Sequence, residues 1–399
     1  MRFSAALFTA LSIQATVSAA WCPFCDAPSF TLSEQADQCA HILRGEWLGG
    51  KKPTAESAGT ARFRILEVGQ SDSDAFKVGS LIELPQYIAG KKDVSYILMG
   101  PGEKLIDWHP AKESTEDLWT YLDSVPAPVP ASDEARQIKR LEFFIPYLQH
   151  KDPNIATDAY SEFAAAPYEV ITPLAEKFPR EKIQKWIVDP TTPVTRMGLF
   201  GLLLGLCGNE EDAKVMEQKI LIPDSEFRMG IEGVMAGYLL IKGEDGLKVL
   251  ETKKMLAKTF VNADGKEVKL PFSEVYATMQ TLRFMWMYEP DRIPRQRLKT
   301  SMRNLLSRPE MADLVITDLS RWKDWDIQPQ LMAMYDDENF DIASIKRAVI
   351  RYMFYCSRDV PKDGSAKPDY AIKAAENLEI LRQKDEKTYN TVKRFLRTP

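Results

Sequence analysis

The sequence predicts a multi-domain α and β chain, a small β-barrel followed by an all-α array of helical repeats. Three features point there. A stretch from Arg196 to Glu217 is written a second time downstream. Between Ala40 and Leu122, short alternating apolar segments are separated by turn residues. Between those two textures lies Val125-Pro126-Ala127-Pro128-Val129-Pro130-Ala131.

The repetition is close. Arg196-Met197-Gly198, then Gly201 and Gly205, recur 32 positions on as Arg228-Met229-Gly230, then Gly233 and Gly237. Glu211-Asp212-Ala213-Lys214-Val215-Met216-Glu217 is answered by Glu244-Asp245-Gly246-Leu247-Lys248-Val249-Leu250-Glu251, at an offset grown by a short insertion. Self-similarity at this period marks a helical repeat array. Glycine inside a helix costs about 1 kcal/mol against alanine. Gly198, Gly201 and Gly205 share one helical face, as do Gly230, Gly233 and Gly237. A stripe of small residues lets another helix backbone approach, and that contact offsets the cost. The surrounding leucines make each helix apolar nearly all round, hence buried. The apolar run Met197 to Cys207 is too short for a membrane span, which needs about 20 residues.

The chain has 399 residues, 45% hydrophobic and 27% charged, with a net charge of −5. That is the balance of a folded soluble protein, and dispersed Lys and Arg argue against nucleic-acid binding. Residues 1–20 stand apart. Arg2, the apolar run Ala5 to Val17 and Ser18-Ala19-Ala20 have the form of a secretory signal peptide cleaved near Ala20. The mature protein is then exported, to a periplasm or the extracellular space, where disulfides persist.

Trp21-Cys22-Pro23-Phe24-Cys25 opens the mature chain, and Cys39 follows. A C-x-x-C pair is a redox signature on a scaffold where the first cysteine caps a helix after a strand. Here no strand can precede it. The expectation is a structural bridge, for instance Cys39 to Cys22 or Cys25, with one thiol left over. The alternatives are redox or covalent attachment chemistry, or half of a metal site. Cys207 and Cys356 lie in apolar helical stretches and read as buried hydrophobes.

Thr31 or Ser33 caps a first helix. His41 to Trp47, Ala61 to Ile65, Leu81 to Leu84 and Ser95 to Met99 are expected strands, with turns at Gly49-Gly50, 71–74, 90–92 and Gly100-Pro101-Gly102. About five short strands suit a small closed barrel, with Ser114 to Leu122 as a helix behind it. The run Ala61-Arg62-Phe63-Arg64-Ile65-Leu66-Glu67-Val68, then Val78-Gly79-Ser80-Leu81-Ile82, then Tyr96-Ile97-Leu98 resembles the netrin-like (TIMP-type) variation on the OB fold. Taken whole, the chain is similar to exported planctomycete-type proteins of unknown function. The resemblance implies the barrel. Metalloproteinase inhibition of the TIMP type rests on a leading cysteine, and here Trp21 precedes Cys22.

The expected organisation is therefore a signal peptide at 1–20, a netrin/OB-like barrel domain at 21–124, a proline-rich linker at 125–131 and a helical repeat domain at 132–399. Ser132 is expected to cap the first helix of that domain. Asp152-Pro153, Asp189-Pro190, Asp224-Ser225 and Asp341-Ile342 are further expected helix starts, in a pattern similar to HEAT-like helix pairs. Thr259 to Leu270 reads as a hairpin inserted between repeats. The stretch from Trp286 to Trp325 lacks the glycines and reads as a degenerate or capping part.

Chemistry is sparse. The three histidines, His41, His109 and His150, fall in no catalytic or metal motif. Asp336-Asp337-Glu338 with Asp341 lacks the spacing of a calcium loop and reads as a solvated turn. Trp322 and Trp325 are a candidate ligand platform, weighed against packing between repeats. These features point to a non-enzymatic binding or scaffold protein without cofactor or metal, whose partner is another exported or envelope protein. The competing class is a thiol-dependent redox factor or cofactor carrier built on Cys22 and Cys25.

Overall fold

In a computed structural model, residues 22–25, 30–71, 73–102, 107–222, 227–262, 264–363 and 365–396 are described. The expected signal peptide and the Asp224-Ser225 helix start lie outside them. The chain falls into two compact units. One holds Ala27–Leu174, and the other holds Ala175–Pro399 together with Phe24–Asp26.

The first unit is built on an antiparallel sheet. Its strands are β1 (His41–Lys51), β2 (Thr60–Ser71), β3 (Leu81–Leu84), β4 (Ser95–Gly100) and β5 (Lys112–Glu113), in the order β3-β2-β1-β4-β5. The expected strand segments are therefore present, and β1 and β2 run longer than the alternation alone marks. Trp47 pairs with Phe63 across β1 and β2, and His41 with Gly100 across β1 and β4. The β1–β2 register shifts at three places. Such bulges bend and coil a sheet. Leu43, Phe63, Ile65, Leu84, Tyr96 and Leu98 point to one buried face, the core of the sheet. Among the described residues the sheet does not close into a barrel; β3 and β5 are its outer strands.

Helices cover the rest of this unit. α1 (Leu32–Asp37) begins at a capping box, in which the Thr31 hydroxyl accepts from the Glu34 N–H and the Glu34 carboxylate accepts from the Thr31 N–H. α2 (Glu116–Ser124) follows β5. α3 (Glu134–Phe144), α4 (Pro153–Ala165) and α5 (Tyr168–Ile171) follow the proline run. Asp133, one residue past the expected Ser132, caps α3. Asp152 caps α4, with Pro153 in its first turn, as the sequence leads one to expect. The proline run lies within the first unit. Arg140 Nε donates to the Pro126 carbonyl (3.1 Å) and Gln137 Nε2 to that of Pro130 (3.2 Å). These bonds dock the run against α3, and the compact units divide at Leu174, well beyond 131.

The second unit is helical and repeat-like. Its helices are α6 (Arg180–Val188), α7 (Met197–Cys207), α8 (Glu210–Leu221), α9 (Ile231–Leu250), α10 (Phe272–Tyr288), α11 (Arg295–Asn304), α12 (Pro309–Arg321), α13 (Gln328–Asp336), α14 (Ala343–Arg358), α15 (Asp369–Lys384) and α16 (Glu386–Phe395). α7, α9, α10, α12 and α14 pack in succession to form a row. Asp189 ends α6 and turns the chain through its bond to the Thr191 N–H (2.8 Å); α7 starts later, after a 3-10 turn. Ile342, beside the expected Asp341, precedes α14.

The two glycine stripes meet each other. A Cβ placed on Gly201 would lie 2.5 Å from the Val234 Cα and 2.7 Å from the Gly233 carbonyl carbon. Gly205 faces Gly237 and Gly233 faces Gly198 in the same way. The contacts climb both helices together, so α7 and α9 are parallel. Gly243 breaks α9 with φ 54° and ψ −132°, a backbone open to glycine at little cost. The part of α9 before this break answers α7, and the part after it, carrying Glu244-Asp245, answers α8.

Between the repeats sits the expected hairpin, β6 (Thr259–Val261) paired with β7 (Glu267–Lys269). The stretch from Trp286 to Trp325, expected as a degenerate or capping part, lacks the glycine contact of α7 and α9. There the row continues by other means: Trp286 on α10 stacks on Trp322 at the end of α12, centroids 4.3 Å apart and planes 8° from parallel. Arg283 Nε donates to Asp318 Oδ2 (2.6 Å) one turn away. An aromatic slab replaces the glycine contact, so no glycine signature is needed.

Candidate functional site

Cys22 and Cys25 are disulfide-bonded to each other. A structural bridge was expected, but its pairing differs from the Cys39 examples. Cys39 is the thiol left over. It is buried, its thiol donates to the Gln35 carbonyl (3.1 Å), and burial pushes its pKa up to about 11. A thiol held protonated in this way is a poor nucleophile. Cys22 is buried, and its N–H donates to the Ala164 carbonyl (3.1 Å). Cys207 and Cys356 are free thiols, and burial raises both.

The first unit hides a polar cluster. Asp158 and Glu162 stand one turn apart on α4, both buried. Asp158 Oδ1 accepts from the Leu32 N–H (2.6 Å) and the Ser33 N–H (3.2 Å), holding the start of α1, and Oδ2 accepts from the Tyr121 hydroxyl (2.8 Å). Glu162 accepts from the Thr31 hydroxyl (2.6 Å), from the Ser33 hydroxyl and from both Nη atoms of Arg140. Burial, opposed by the Tyr121 hydrogen bond and assisted by the Glu162 charge, raises the Asp158 pKa to about 6. Every bond here joins α1, α2, α3 or their caps to α4. The cluster therefore locks these helices together.

The sequence carries a signal for this cluster that the expectations above do not use. Ile155, Asp158, Ala159, Glu162 and Phe163 follow the i, i+3, i+4, i+7, i+8 rule of a core stripe. Two carboxylates on such a stripe demand buried partners. The second unit has a comparable lock. Glu274 on α10 accepts from Arg228 Nε (2.8 Å) and Nη2 (2.7 Å) and from Lys254 Nζ (2.7 Å), with all three side chains buried.

The tryptophan pair divides between two settings. Trp322 is 7% exposed and committed to its stack on Trp286. Trp325 is 9% exposed, packs edge-on to Tyr352, and donates Nε1–H to Asp359 Oδ2 (2.8 Å). Neither offers an open ring face. Trp325 nevertheless forms part of the floor of a cleft of 450 Å³ between α12 and α14. Ala348, Arg351, Tyr352 and Tyr355 line it from α14, at the spacing of one helical face. Thr317, Ser320 and Arg321 line it from α12.

The histidines are scattered. His41 Nδ1 pairs with the Ser71 hydroxyl (3.0 Å), and its ring lies edge-on to Phe76 in the sheet core. His150 Nδ1 accepts from the Asp152 N–H (3.1 Å). The N–H of His109 binds the Met99 carbonyl (2.9 Å). The acidic turn is occupied by its neighbours. Asp336 pairs with Lys384, Asp341 with Lys346, and Asp337 caps the turn at Asn339. Among the described residues no group of His, Cys, Asp and Glu is arranged to hold a metal, and no helix is long and apolar enough to cross a membrane. Comparison of the chain with protein-family models, curated proteins and solved structures finds no match.

Proposed function

We propose that this is an exported, non-enzymatic binding or scaffold protein whose helical array receives another exported or envelope protein. In this reading the first unit is a netrin/OB-like barrel left open between β3 and β5, and the second is a HEAT-like array. The carrying observation is an apolar edge on the array. Val194 precedes α7, Phe227 and Met229 precede α9, and Phe272 opens α10; they are 61%, 67%, 41% and 49% exposed. The shared direction of α7 and α9, and the Arg228–Glu274 contact between the starts of α9 and α10, bring these residues to one end of the row. Clustered exposed apolar residues of this kind mark interaction surfaces.

The test is site-specific photo-crosslinking in the exported fraction. A photoreactive residue at Phe227 should give one discrete adduct, lost when Phe272→Ser is added, and the same probe at exposed Val78 should give none. No adduct at Phe227, or the same adducts from both sites, removes the proposal.

A second reading, a thiol-dependent redox factor or cofactor carrier, is favoured by the bonded C-x-x-C pair itself. Its test is the reduction potential. Structural disulfides fall below about −300 mV, whereas exchange-active pairs lie between about −270 and −120 mV.

A further inference from the structure

The cleft between α12 and α14 gathers more cations than carboxylates. Arg321, Lys323, Arg351 and Arg358 line it, against the single carboxylate of Asp359. The chain as a whole is net negative, so this concentration runs against its composition. Asp359 is already taken by Lys323 Nζ (2.6 Å) and Trp325 Nε1 (2.8 Å). Arg321 is 72% exposed and touches Asp318 only at 3.7 Å.

Arg351 is the informative residue. It is half-buried, and among the described residues neither it nor Arg358 has an ion pair with a carboxylate. Other half-buried arginines of this unit are paired, Arg283 with Asp318 and Arg303 with Asp324. A guanidinium has five N–H donors and no acceptor capacity, and leaving it partly desolvated and unanswered is costly. On the α12 wall, the Ser320 hydroxyl is buried and has no hydrogen-bond partner among the described residues. Tyr355, 47% exposed, stands one turn from Arg351 and offers a ring face beside it. The volume of 450 Å³ is that of a small-molecule site.

We infer that this cleft binds a small organic anion, one oxyanion group joined to a planar ring. The oxyanion is received by Arg351 with Arg358 and Arg321 at the rim, and the ring lies against Tyr355, over the floor that Trp325 helps to form. Arginine suits this role because its planar fork meets carboxylate, sulfate and phosphate groups with two parallel hydrogen bonds. The inference is independent of the apolar edge, since none of the edge residues lines the cleft.

Phenyl phosphate, inorganic phosphate and phenol, titrated calorimetrically into the purified full chain, test it. Phenyl phosphate should bind tightest, inorganic phosphate more weakly and phenol not measurably. Arg351→Gln should weaken phenyl phosphate by at least about tenfold, the share of a hydrogen bond to a charged group. Tyr355→Ala should lower phenyl phosphate towards inorganic phosphate and leave the latter unchanged. Arg382→Gln, at an exposed pair with Glu379 on α15, should change nothing. Thermal melts of each variant confirm that it is folded. Equal affinity of parent and folded Arg351→Gln, equal effects of the Arg351 and Arg382 changes, or no binding of phenyl phosphate would each overturn the inference.

Discussion

The glycine contact between α7 and α9 makes a sharp demand on a single methyl group. In Gly201→Ala the new Cβ would sit 2.5 Å from both the Val234 Cα and its backbone nitrogen. Carbon atoms settle at about 3.5–4.0 Å, so the helices must separate locally by roughly 1 Å. The neighbour is backbone, which cannot rotate away as a side chain can. Nor can α7 tilt freely, because Leu199, Phe200, Leu202, Leu203 and Leu204 are all buried around it. Two effects oppose. Alanine favours the helix by about 1 kcal/mol, and overpacking costs about 1–3 kcal/mol or more. Backbone obstruction puts this site at the upper end, so a net loss of about 1–2 kcal/mol is expected. Gly237→Ala, which would meet the Gly201 carbonyl, should behave alike. Gly246→Ala is a milder case: its nearest atom is the Lys242 Cβ (2.8 Å), which is fixed to its own backbone, but the Tyr238 Cε1 (2.9 Å) and Leu239 Cδ2 (3.2 Å) can yield by rotation, so a smaller net loss than at Gly201 is expected. Urea denaturation followed by far-ultraviolet dichroism compares the variants beside the parent. A Gly201→Ala protein as stable as the parent, or more so, would refute the packing argument.

Three further outcomes are expected. Asp158 holds its proton more tightly in the folded chain, with a pKa raised from 3.8 to about 6. The stability this contributes is complete below about pH 3.8 and is lost as pH rises through about 6, about 3 kcal/mol at 1.36 kcal/mol per unit. Asp158→Asn, neutral throughout, should therefore gain on the parent between pH 4 and 7 in denaturation midpoints, and a difference constant with pH would count against this account. Glu274→Gln leaves Arg228 and Lys254 buried beside a neutral amide and should cost about 3–5 kcal/mol. Lys254→Met, which keeps the two-bond Arg228–Glu274 pair, should cost clearly less in the same denaturation series. Alkylation in denaturant without reductant should label Cys39, Cys207 and Cys356 and spare Cys22 and Cys25, with mass spectrometry counting the adducts.

The strands were legible because Ala61, Phe63 and Ile65 alternate with arginines, and that period follows directly from which face is buried. The paired glycine stripes were legible because a helix tolerates glycine at fixed spacing only for a reason outside itself. The unit boundary was not. Prolines at 126, 128 and 130 describe a stiff segment, but whether that segment is free depends on Arg140 and Gln137, which bind its carbonyls from another helix. The Asp158 cluster was hidden for the same reason, since its partners Leu32 and Thr31 lie 126 and 131 residues away in sequence. The cleft cations come from two helices and a turn, each a plain surface charge until α12 and α14 lie side by side. The tryptophan pair stands out in composition, but its neighbours give Trp322 to packing and leave Trp325 beside a cleft.

The burial of Lys254 has a use beyond stability. Its ammonium is enclosed against Glu274, and burial lowers its pKa. Amine-acylating reagents need a neutral amine that they can reach, and this one is out of reach while the array is closed. Most other lysines stand at the surface and would be consumed at once. The slow appearance of acyl-Lys254 in a mass spectrum would then report how often this part of the array opens. The chain thus carries its own clock for local breathing, readable on the unmodified protein without an added probe.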